Sequence, residues 1–372
     1  QTLTITGAST VIGAHSYTVT ATGNCGTTTT QGVVTVTGDL VHMTTTSTGA
    51  ISLSVEFTGT LYIDWGDGDI GSYTSSGATN THTYTGSSPH TVTVQAKTIT
   101  RMDCSNISLT ALDVSGCAAL TFLECSSNSL TALDVTNNTA LTVLRCYSNP
   151  LGSLDVTNNT ALTVLNCASN SLDILDVTTN TALTTLLCSN NPLGSLDVTN
   201  NPALTSLYCH SNSLTALDVT NNTALTLLEC SSNSLTALDV TNNTALYGLS
   251  CFNNSLTALD VSGCAALTDL HCHSNSLTAL DVSGCAALTY LYCYSNSLTA
   301  LDVSGCAALT DLRVQSNLFN AAALNALFGT LHNNSGSKTI YISNNPKGAG
   351  TGTVNCTQSI ATGKGWQVDT TN

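Results

Sequence analysis

Leucine residues recur through the middle of the chain with a period of 21 residues. One copy, residues 120–140, reads LTFLECSSNSLTALDVTNNTA, which gives the template LxxLxCxxNxLxxLDVxxNxx and contains two similar halves. A unit of this length cannot bury its leucines by itself, so the period predicts coils that stack on one another and share a continuous core. The leucine of the LDV motif marks the successive copies: Leu112, Leu133, Leu154, Leu175, Leu196, Leu217, Leu238, Leu259, Leu280 and Leu301.

This template resembles leucine-rich repeats, specifically the doubly nested 21-residue kind called IRREKO-type. The resemblance covers residues 99–318 and implies a parallel β-solenoid with one coil per repeat, about ten coils of 21 residues. We predict two short strands in each coil, one around LxC and one around LDV. The resemblance also implies that the first Asn of the template, from Asn128 to Asn317, hydrogen-bonds backbone groups of the adjacent coil.

The segments on either side of the repeats have other patterns. Residues 39–98 alternate apolar and polar side chains in stretches such as HTVTVQ, which is the period of a β-strand. IDWGDG followed by THTYTGSSPHTVTV resembles a PKD-type immunoglobulin-like sandwich, and residues 1–38 resemble the closing strands of another such module. Residues 319–372 carry a helical pattern at 321–333 and a strand pattern in KTIYISNNP, which we interpret as a C-terminal cap. The predicted fold is mainly β: Ig/PKD-like β-sandwich material, a leucine-rich-repeat parallel β-solenoid and a small α/β cap.

Cysteine occupies one inward position of the template, and Val314 takes that position in the last coil. Disulfides between parallel thiols one coil apart would require distortion, so we predict a buried ladder of free thiols that act as small apolar side chains. No CxxC pair is present, which disfavours a metal site. Cys25 and Cys356 lie outside the pattern, and the sequence does not fix their pairing. The ladder comprises Cys104, Cys125, Cys146, Cys167, Cys188, Cys209, Cys230, Cys251, Cys272 and Cys293; Cys117, Cys264, Cys285 and Cys306 replace the second Asn of the template.

The aspartates of successive LDV motifs form a column. Strand alternation would place these carboxylates outside, where neighbours about 5 Å apart repel by roughly 1 kcal/mol in water. Hydrogen bonds from Thr and Ser hydroxyls or from backbone N–H groups could offset this, so we expect a structural ladder, with row-wise Ca²⁺ binding as the alternative. Asp64, Asp67 and Asp69 fit a tight turn better than a Ca²⁺ site. The column comprises Asp113, Asp134, Asp155, Asp176, Asp197, Asp218, Asp239, Asp260, Asp281 and Asp302.

The copies differ from one another mainly at the outward positions around the cysteine. Aromatic, His and Arg side chains concentrate there, and such residues are enriched at recognition surfaces. Neutral drift at solvent-facing positions is the alternative, although it accounts less well for the density of Tyr290, Tyr292 and Tyr294 beside His271 and His273. Two His residues two positions apart are a weak metal signal. The predicted ligand-binding face comprises Arg145, Tyr147, Tyr208, His210, Phe252, Asp269, His271, His273, Tyr290, Tyr292, Tyr294 and Arg313.

Charge and motifs narrow the function classes. The chain has 7 Lys and Arg residues against 22 acidic ones, so nucleic acid and anionic membrane surfaces are disfavoured as partners. No apolar run is long enough for a transmembrane helix, and GxSxG, HExxH and P-loop motifs are absent from the sequence. Abundant Thr, Ser, Asn and Gly suit an extracellular β-rich protein, and the Gln1 start suggests a piece of a longer secreted one.

Three functions remain open from the sequence. The favoured one is a non-enzymatic extracellular recognition or adhesion module that binds a protein or glycan on another cell or surface, since the PKD-like and leucine-rich combination resembles secreted surface proteins of the Bacteroidetes. A structural rod, as a subunit of a surface filament or virion fibre, is the alternative because near-verbatim copies supply length. An enzyme that uses the solenoid as a carbohydrate-binding arm would need a catalytic domain elsewhere.

Overall fold

A computed structural model describes the backbone of residues 13–23, 26–36, 38–349 and 351–371, and the side chains of residues 38–349 and 351–371. Cys25 therefore lies outside the described residues. The chain divides into two compact units, Gln1–Leu151 and Gly152–Asn372. The predicted mainly β fold is confirmed: a parallel β-solenoid of about ten turns with few helices and a small C-terminal α/β region.

The first unit contains a β-hairpin and two sheets. The strands are β1 (Gly13–Gly23), β2 (Gly26–Val36), β3 (Asp39–Thr45), β4 (Ala50–Thr58), β5 (Leu61–Asp64), β6 (Ile70–Tyr73), β7 (Thr79–Thr83), β8 (His90–Ala96), β9 (Thr98–Asp103), β10 (Leu109–Asp113), β11 (Phe122–Glu124) and β12 (Val143–Arg145). One sheet is antiparallel with the order β10-β3-β8-β5-β6, and the other has the order β12-β11-β9-β4-β7 within this unit. Alternate residues of β4 are buried, as expected for a strand with one face on a core.

Strand β9 belongs to both kinds of strand pairing in this unit. It pairs antiparallel with β4 and parallel with β11, so strands from residues 39–98 and from the first coils share one sheet. The predicted boundaries at 38/39, 98/99 and 318/319 stay predictions. β9 starts at Thr98 and therefore crosses the second of them.

The second unit consists of coils and the C-terminal region. The strands of the coils are β13 (Val164–Asn166), β14 (Thr185–Leu187), β15 (Ser206–Tyr208), β16 (Leu227–Glu229), β17 (Gly248–Ser250), β18 (Asp269–His271), β19 (Tyr290–Tyr292) and β20 (Asp311–Arg313). They are all parallel and follow chain order, and the paired residues are 21 positions apart. The C-terminal region adds α1 (Ala321–Thr330), β21 (Lys338–Tyr341), α2 (Thr351–Asn355), α3 (Ser359–Thr362) and β22 (Trp366–Asp369).

Each coil of the second unit has one strand, so the prediction of a second strand around LDV was wrong there. In the described part of this unit the LDV stretch forms only an isolated bridge between Asp260 and Asp281. A turn begins at the aspartate, because the Oδ1 atom of Asp218 accepts hydrogen bonds from the backbone N–H of Thr220 at 2.9 Å and from its hydroxyl at 2.6 Å. Asp113 accepts the N–H of Ser115 at 2.9 Å in the same way, so the turn by itself does not exclude a strand. In the first unit this stretch does form a strand, β10, because β3 pairs with it.

Inward side chains form columns that join successive coils. Leu207 and Cys209 have no exposed surface. The amide of Asn212 donates to the carbonyls of Cys188 (3.2 Å) and Cys209 (2.9 Å), and its oxygen accepts the N–H of Leu193 (3.2 Å). This column therefore satisfies buried backbone groups of the adjacent coil.

Candidate recognition surface

The outward side chains of β13–β20, together with the residue that follows each cysteine or Val314, form a surface that we call the strand face. The leucine at the centre of each strand points inward, so the residues on either side of it point outward. Pairing in register then places residues 21 apart side by side on adjacent coils. Most aromatic side chains of this face lie in the coils from β17 to β20.

Aromatic rings in these coils stack into two columns. His273 lies between Phe252 and Tyr294, with ring centroids 4.5 and 4.2 Å away and interplanar angles of 12° and 8°. In the second column His271 stacks on Tyr292 at 4.5 Å and 2°. These distances match the spacing of adjacent strands, so the rings stand upright on the sheet with their faces against each other.

Arg313 extends the second column. Its guanidinium carbon lies 4.3 Å from the ring centroid of Tyr292 and 4.9 Å from that of Tyr341. Asp311 fixes it through Nε–Oδ1 and Nη2–Oδ2 contacts of 3.0 and 3.2 Å, and this hydrogen bonding raises the pKa of Arg313. The cation is therefore held in place before any partner arrives.

The imidazoles in the columns are neutral near pH 7. Burial lowers the pKa of His271, and burial together with His271 and Arg313 lowers the pKa of His273 to about 4. Burial also raises the pKa of Tyr292. The rings of the two columns are therefore uncharged, and their polar atoms are phenol hydroxyls and imidazole nitrogens.

Tyr290 stands beside the columns. Its ring meets that of Tyr292 edge-on at 6.4 Å, and 41% of the residue is exposed. Asp269 accepts a hydrogen bond from the hydroxyl of Thr268 at 2.5 Å. Among the predicted face residues, the structure thus brings together Phe252, Asp269, His271, His273, Tyr290, Tyr292, Tyr294 and Arg313.

The remaining predicted residues lie apart from this cluster. Tyr208 and His210 belong to an earlier coil, that of β15. Arg145 and Tyr147 belong to the first unit, where Arg145 pairs with Glu124 at 3.6 Å. Sequence reasoning missed Arg101, whose guanidinium lies 3.4 Å from the centroid of Phe122, although the 21-residue spacing between the two could have revealed it. It also missed Tyr341, because the insertion of α1 breaks the period before β21.

The aspartate column is exposed and hydrogen-bonded within each coil. Asp134 accepts from the N–H of Thr136 at 2.9 Å and from its hydroxyl at 2.6 Å, and these bonds lower the pKa of Asp134. Asp281 accepts the N–H of Ser283 at 2.9 Å. In the IDWGDG turn, Asp64 and Asp67 accept the N–H groups of Gly66 and Asp69. Within the part of the chain that the structure describes, His, Cys, Asp and Glu form no cluster of three or more with metal-site geometry.

The cysteines of the ladder are free and buried, as are the four that replace Asn. Burial raises the pKa of Cys209 well above its ordinary value, so the thiol stays protonated and unreactive. None of the helices in the described ranges has the length and apolarity that crossing a bilayer requires.

Comparison with known proteins shows that the coils are similar to leucine-rich repeats. The leucine-rich-repeat family model matches residues 252–270 and 294–312. The functional domain of InlJ from Listeria monocytogenes, a structure that includes a cysteine ladder, is 39% identical with a TM-score of 0.63; the match covers 73% of this chain and 58% of that one, less than two thirds of its length. The internalin InlF of the same species is 21% identical with a TM-score of 0.54, over 73% of this chain and 82% of that one. A search of curated proteins gives no match.

Proposed function

We propose that this chain is a non-enzymatic recognition module that binds a protein partner through the strand face of its second unit. The observation that carries the proposal is the cluster of Phe252, His271, His273, Tyr290, Tyr292 and Tyr294, concentrated on one sheet in coils that elsewhere repeat almost verbatim. Aromatic side chains with polar tips are the residues that protein interfaces favour. The similarity to internalin-type solenoids supports the same role.

The stacking favours a protein over a glycan as the partner. Aromatic platforms bind sugars through an exposed ring face, but both faces of His273 are covered by Phe252 and Tyr294, and those of Tyr292 by His271 and Arg313. Apart from the ring faces at the column ends, what the columns present to solvent is ring edges and hydroxyl groups. These suit hydrogen bonds and apolar contacts with a protein surface.

The test compares two surface variants against the parent protein. We expect Tyr290→Ser/Tyr292→Ser/Tyr294→Ser to lose binding to an array of immobilised extracellular protein domains, because it removes three of the exposed ring edges. The control, Thr257→Ser/Thr278→Ser/Thr299→Ser, changes exposed residues in the second halves of the three coils that carry the aromatic cluster and should bind like the parent. Thermal melting checks that both variants fold. Equal binding by parent and Tyr variant would refute the proposal, and Tyr-dependent binding to a glycan array alone would assign the partner to the other class.

Location and wider architecture belong to the same proposal. An extracellular or cell-surface position, as part of a longer secreted protein, suits the Thr- and Ser-rich composition and the adhesion role. The resemblance of residues 39–98 to a PKD-type sandwich, and of the whole to Bacteroidetes-type surface proteins, is a further part of it.

A structural rod is the second candidate. The observation that favours it is the near-verbatim repetition of the LDVTNNT stretch, whose Asp–Thr hydrogen bonds recur from coil to coil. Electron microscopy of the purified chain separates the two. Ordered filaments that persist in the Tyr variant would favour the rod.

A further inference from the structure

One carboxylate on the strand face has no partner of its own. Glu229 is the last residue of β16 and is half-buried, yet within the described residues its side chain forms no hydrogen bond or ion pair. A half-buried charge without a partner loses solvation and gains nothing in return. Such a group points to a cation supplied from outside the chain.

The chain contains the same coil a second time, with the cation present. Residues 121–139 read TFLECSSNSLTALDVTNNT and residues 226–244 read TLLECSSNSLTALDVTNNT, so Glu124 is the counterpart of Glu229. In the first unit the next coil places Arg145 opposite Glu124 in strand register, and the two side chains form an ion pair of 3.6 Å. In the second unit the next coil places Ser250 opposite Glu229. The long basic side chain is replaced by a short one.

The coil after Ser250 provides an aromatic wall. Ser250 pairs with His271, whose one face stacks on Tyr292 at 4.5 Å. Among the described residues no other ring and no guanidinium stacks on the opposite face, which is the one directed along the row toward Ser250. The row therefore has a notch over Ser250, between the Glu229 carboxylate and this imidazole face. With two strand spacings between its walls, the notch is about 10 Å long at the backbone.

Arg313 shows how a cation fits such a wall. It lies one coil beyond Tyr292 in the same row, and its guanidinium covers the ring of Tyr292 at 4.3 Å. A guanidinium over Ser250 would reproduce two contacts already present in this chain: the carboxylate contact of Glu124 with Arg145, and the ring contact of Tyr292 with Arg313. A flat group of this kind needs about 3.5 Å on each side, which two strand spacings provide.

From this arrangement we infer that the protein partner inserts one arginine side chain into the notch over Ser250, between Glu229 and His271. The inference rests on the proposed function, since it names the chemistry that the strand face recognises. Arginine fits better than lysine, because its planar guanidinium stacks on a ring while its edge donates hydrogen bonds to a carboxylate.

The test uses the purified chain and a small probe, N-acetyl-L-argininamide, with N-acetyl-L-lysinamide as the matched cation. Amide NMR shifts at Ser250 and His271 report occupancy of the notch. We expect the arginine probe to bind more tightly than the lysine probe, and Glu229→Gln to weaken it by about tenfold, the loss typical of one charged hydrogen bond. Ser250→Arg should abolish probe binding, because it supplies the cation within the chain as Arg145 does for Glu124. Thr257→Ser, an exposed position in the second half of the coil that carries Ser250, is the control and should bind the probe like the parent.

The result that would overturn the inference is equal probe binding by the parent and Glu229→Gln, or the absence of shifts at Ser250 and His271 in the parent. Glu229 is at the surface, so its Gln variant should fold, and an unchanged melting temperature checks this. Failure here is distinct from failure of the proposed function. If the Tyr variant loses its protein partner while the probe does not bind, the strand face still recognises protein and only the arginine is wrong.

Discussion

The second half of each coil closes with one of two turn sequences. The spacing between the turns of adjacent coils predicts a large difference in stability between two glycine-to-alanine substitutions. In the TNNTA turn the amide of Asn222 donates to the carbonyls of Val198 (2.9 Å) and Asn201 (2.8 Å) of the preceding coil. In the SGCAA turn a shorter cysteine takes this position, and the Sγ of Cys285 lies 3.3 Å from the carbonyl oxygen of Val261. A turn held by the shorter side chain sits closer to its neighbour.

One glycine in these turns is required by the close approach, and another is not. A Cβ atom on Gly284 would lie 1.9 Å from the carbonyl oxygen of Ser262, whereas one on Gly263 would lie 3.3 Å from that of Thr241. The difference arises because the coil before Gly284 also has a Gly–Cys turn, while the coil before Gly263 has the wider Asn–Asn turn. Gly284→Ala must therefore displace backbone by more than about 1 Å, and Gly263→Ala needs only a few tenths of an ångström.

We expect Gly284→Ala to lower the free energy of unfolding by about 1–3 kcal/mol, the usual cost of overpacking. Gly263→Ala should be within about 1 kcal/mol of the parent, since the loss of chain entropy in the unfolded state offsets the small adjustment. Equilibrium unfolding in urea, followed by circular dichroism, gives both values. If the two variants unfold at the same urea concentration with the same slope, the close-approach argument is wrong. Gly284→Asn/Cys285→Asn rebuilds the wider turn and should be more stable than Gly284→Asn alone.

Three further predictions follow from the columns. The hydroxyl and N–H of Thr220 lower the pKa of Asp218, so the ionised carboxylate stabilises the folded chain. This stabilisation is present above the ordinary aspartate pKa of about 3.9 and is lost as pH falls through the lowered folded-state pKa. Urea unfolding at pH 7 and at pH 2 should show the loss, and Asp218→Asn should show a smaller one. The column carboxylates already have hydrogen-bond donors, so EDTA should leave the melting temperature unchanged, and a fall of many degrees would instead support row-wise Ca²⁺ binding. In a Cys25→Ser background a thiol reagent should label only Cys356 in the native protein and the buried ladder only after denaturation; fast native labelling at Cys209 would contradict its raised pKa and burial.

The solenoid could be predicted because one period fixes most of it. Leucine, cysteine and asparagine recur at fixed inward positions every 21 residues. The second strand was mispredicted because LDV reads as an alternating strand pattern, but in the first unit it forms a strand where β3 pairs with it. The aspartate turn contact is present both at Asp113 in β10 and at Asp218, so sequence pattern alone does not decide between strand and turn.

The candidate surface was predictable as a list but not as an arrangement. Strand alternation placed Tyr292 and His271 outside, but only the register shows that their ring faces are used by each other and by Arg313. Glu229 drew no attention in the sequence because its coil is nearly identical to that of Glu124. The two copies differ one coil further on, where Ser250 lies beside Glu229 but Arg145 lies beside Glu124.

The contacts between adjacent coils help to decide whether the variable outward positions arose by neutral drift. Independent drift would leave residues 21 apart unrelated in chemistry. The contacts join ring to ring in Phe252–His273 and His271–Tyr292, and cation to ring in Tyr292–Arg313. In the first unit the same spacing joins Arg101 to Phe122 and Glu124 to Arg145. These outward residues therefore match their neighbours along a row, and a charged row position left unmatched, as at Glu229, is where a partner from outside the chain has most to contribute.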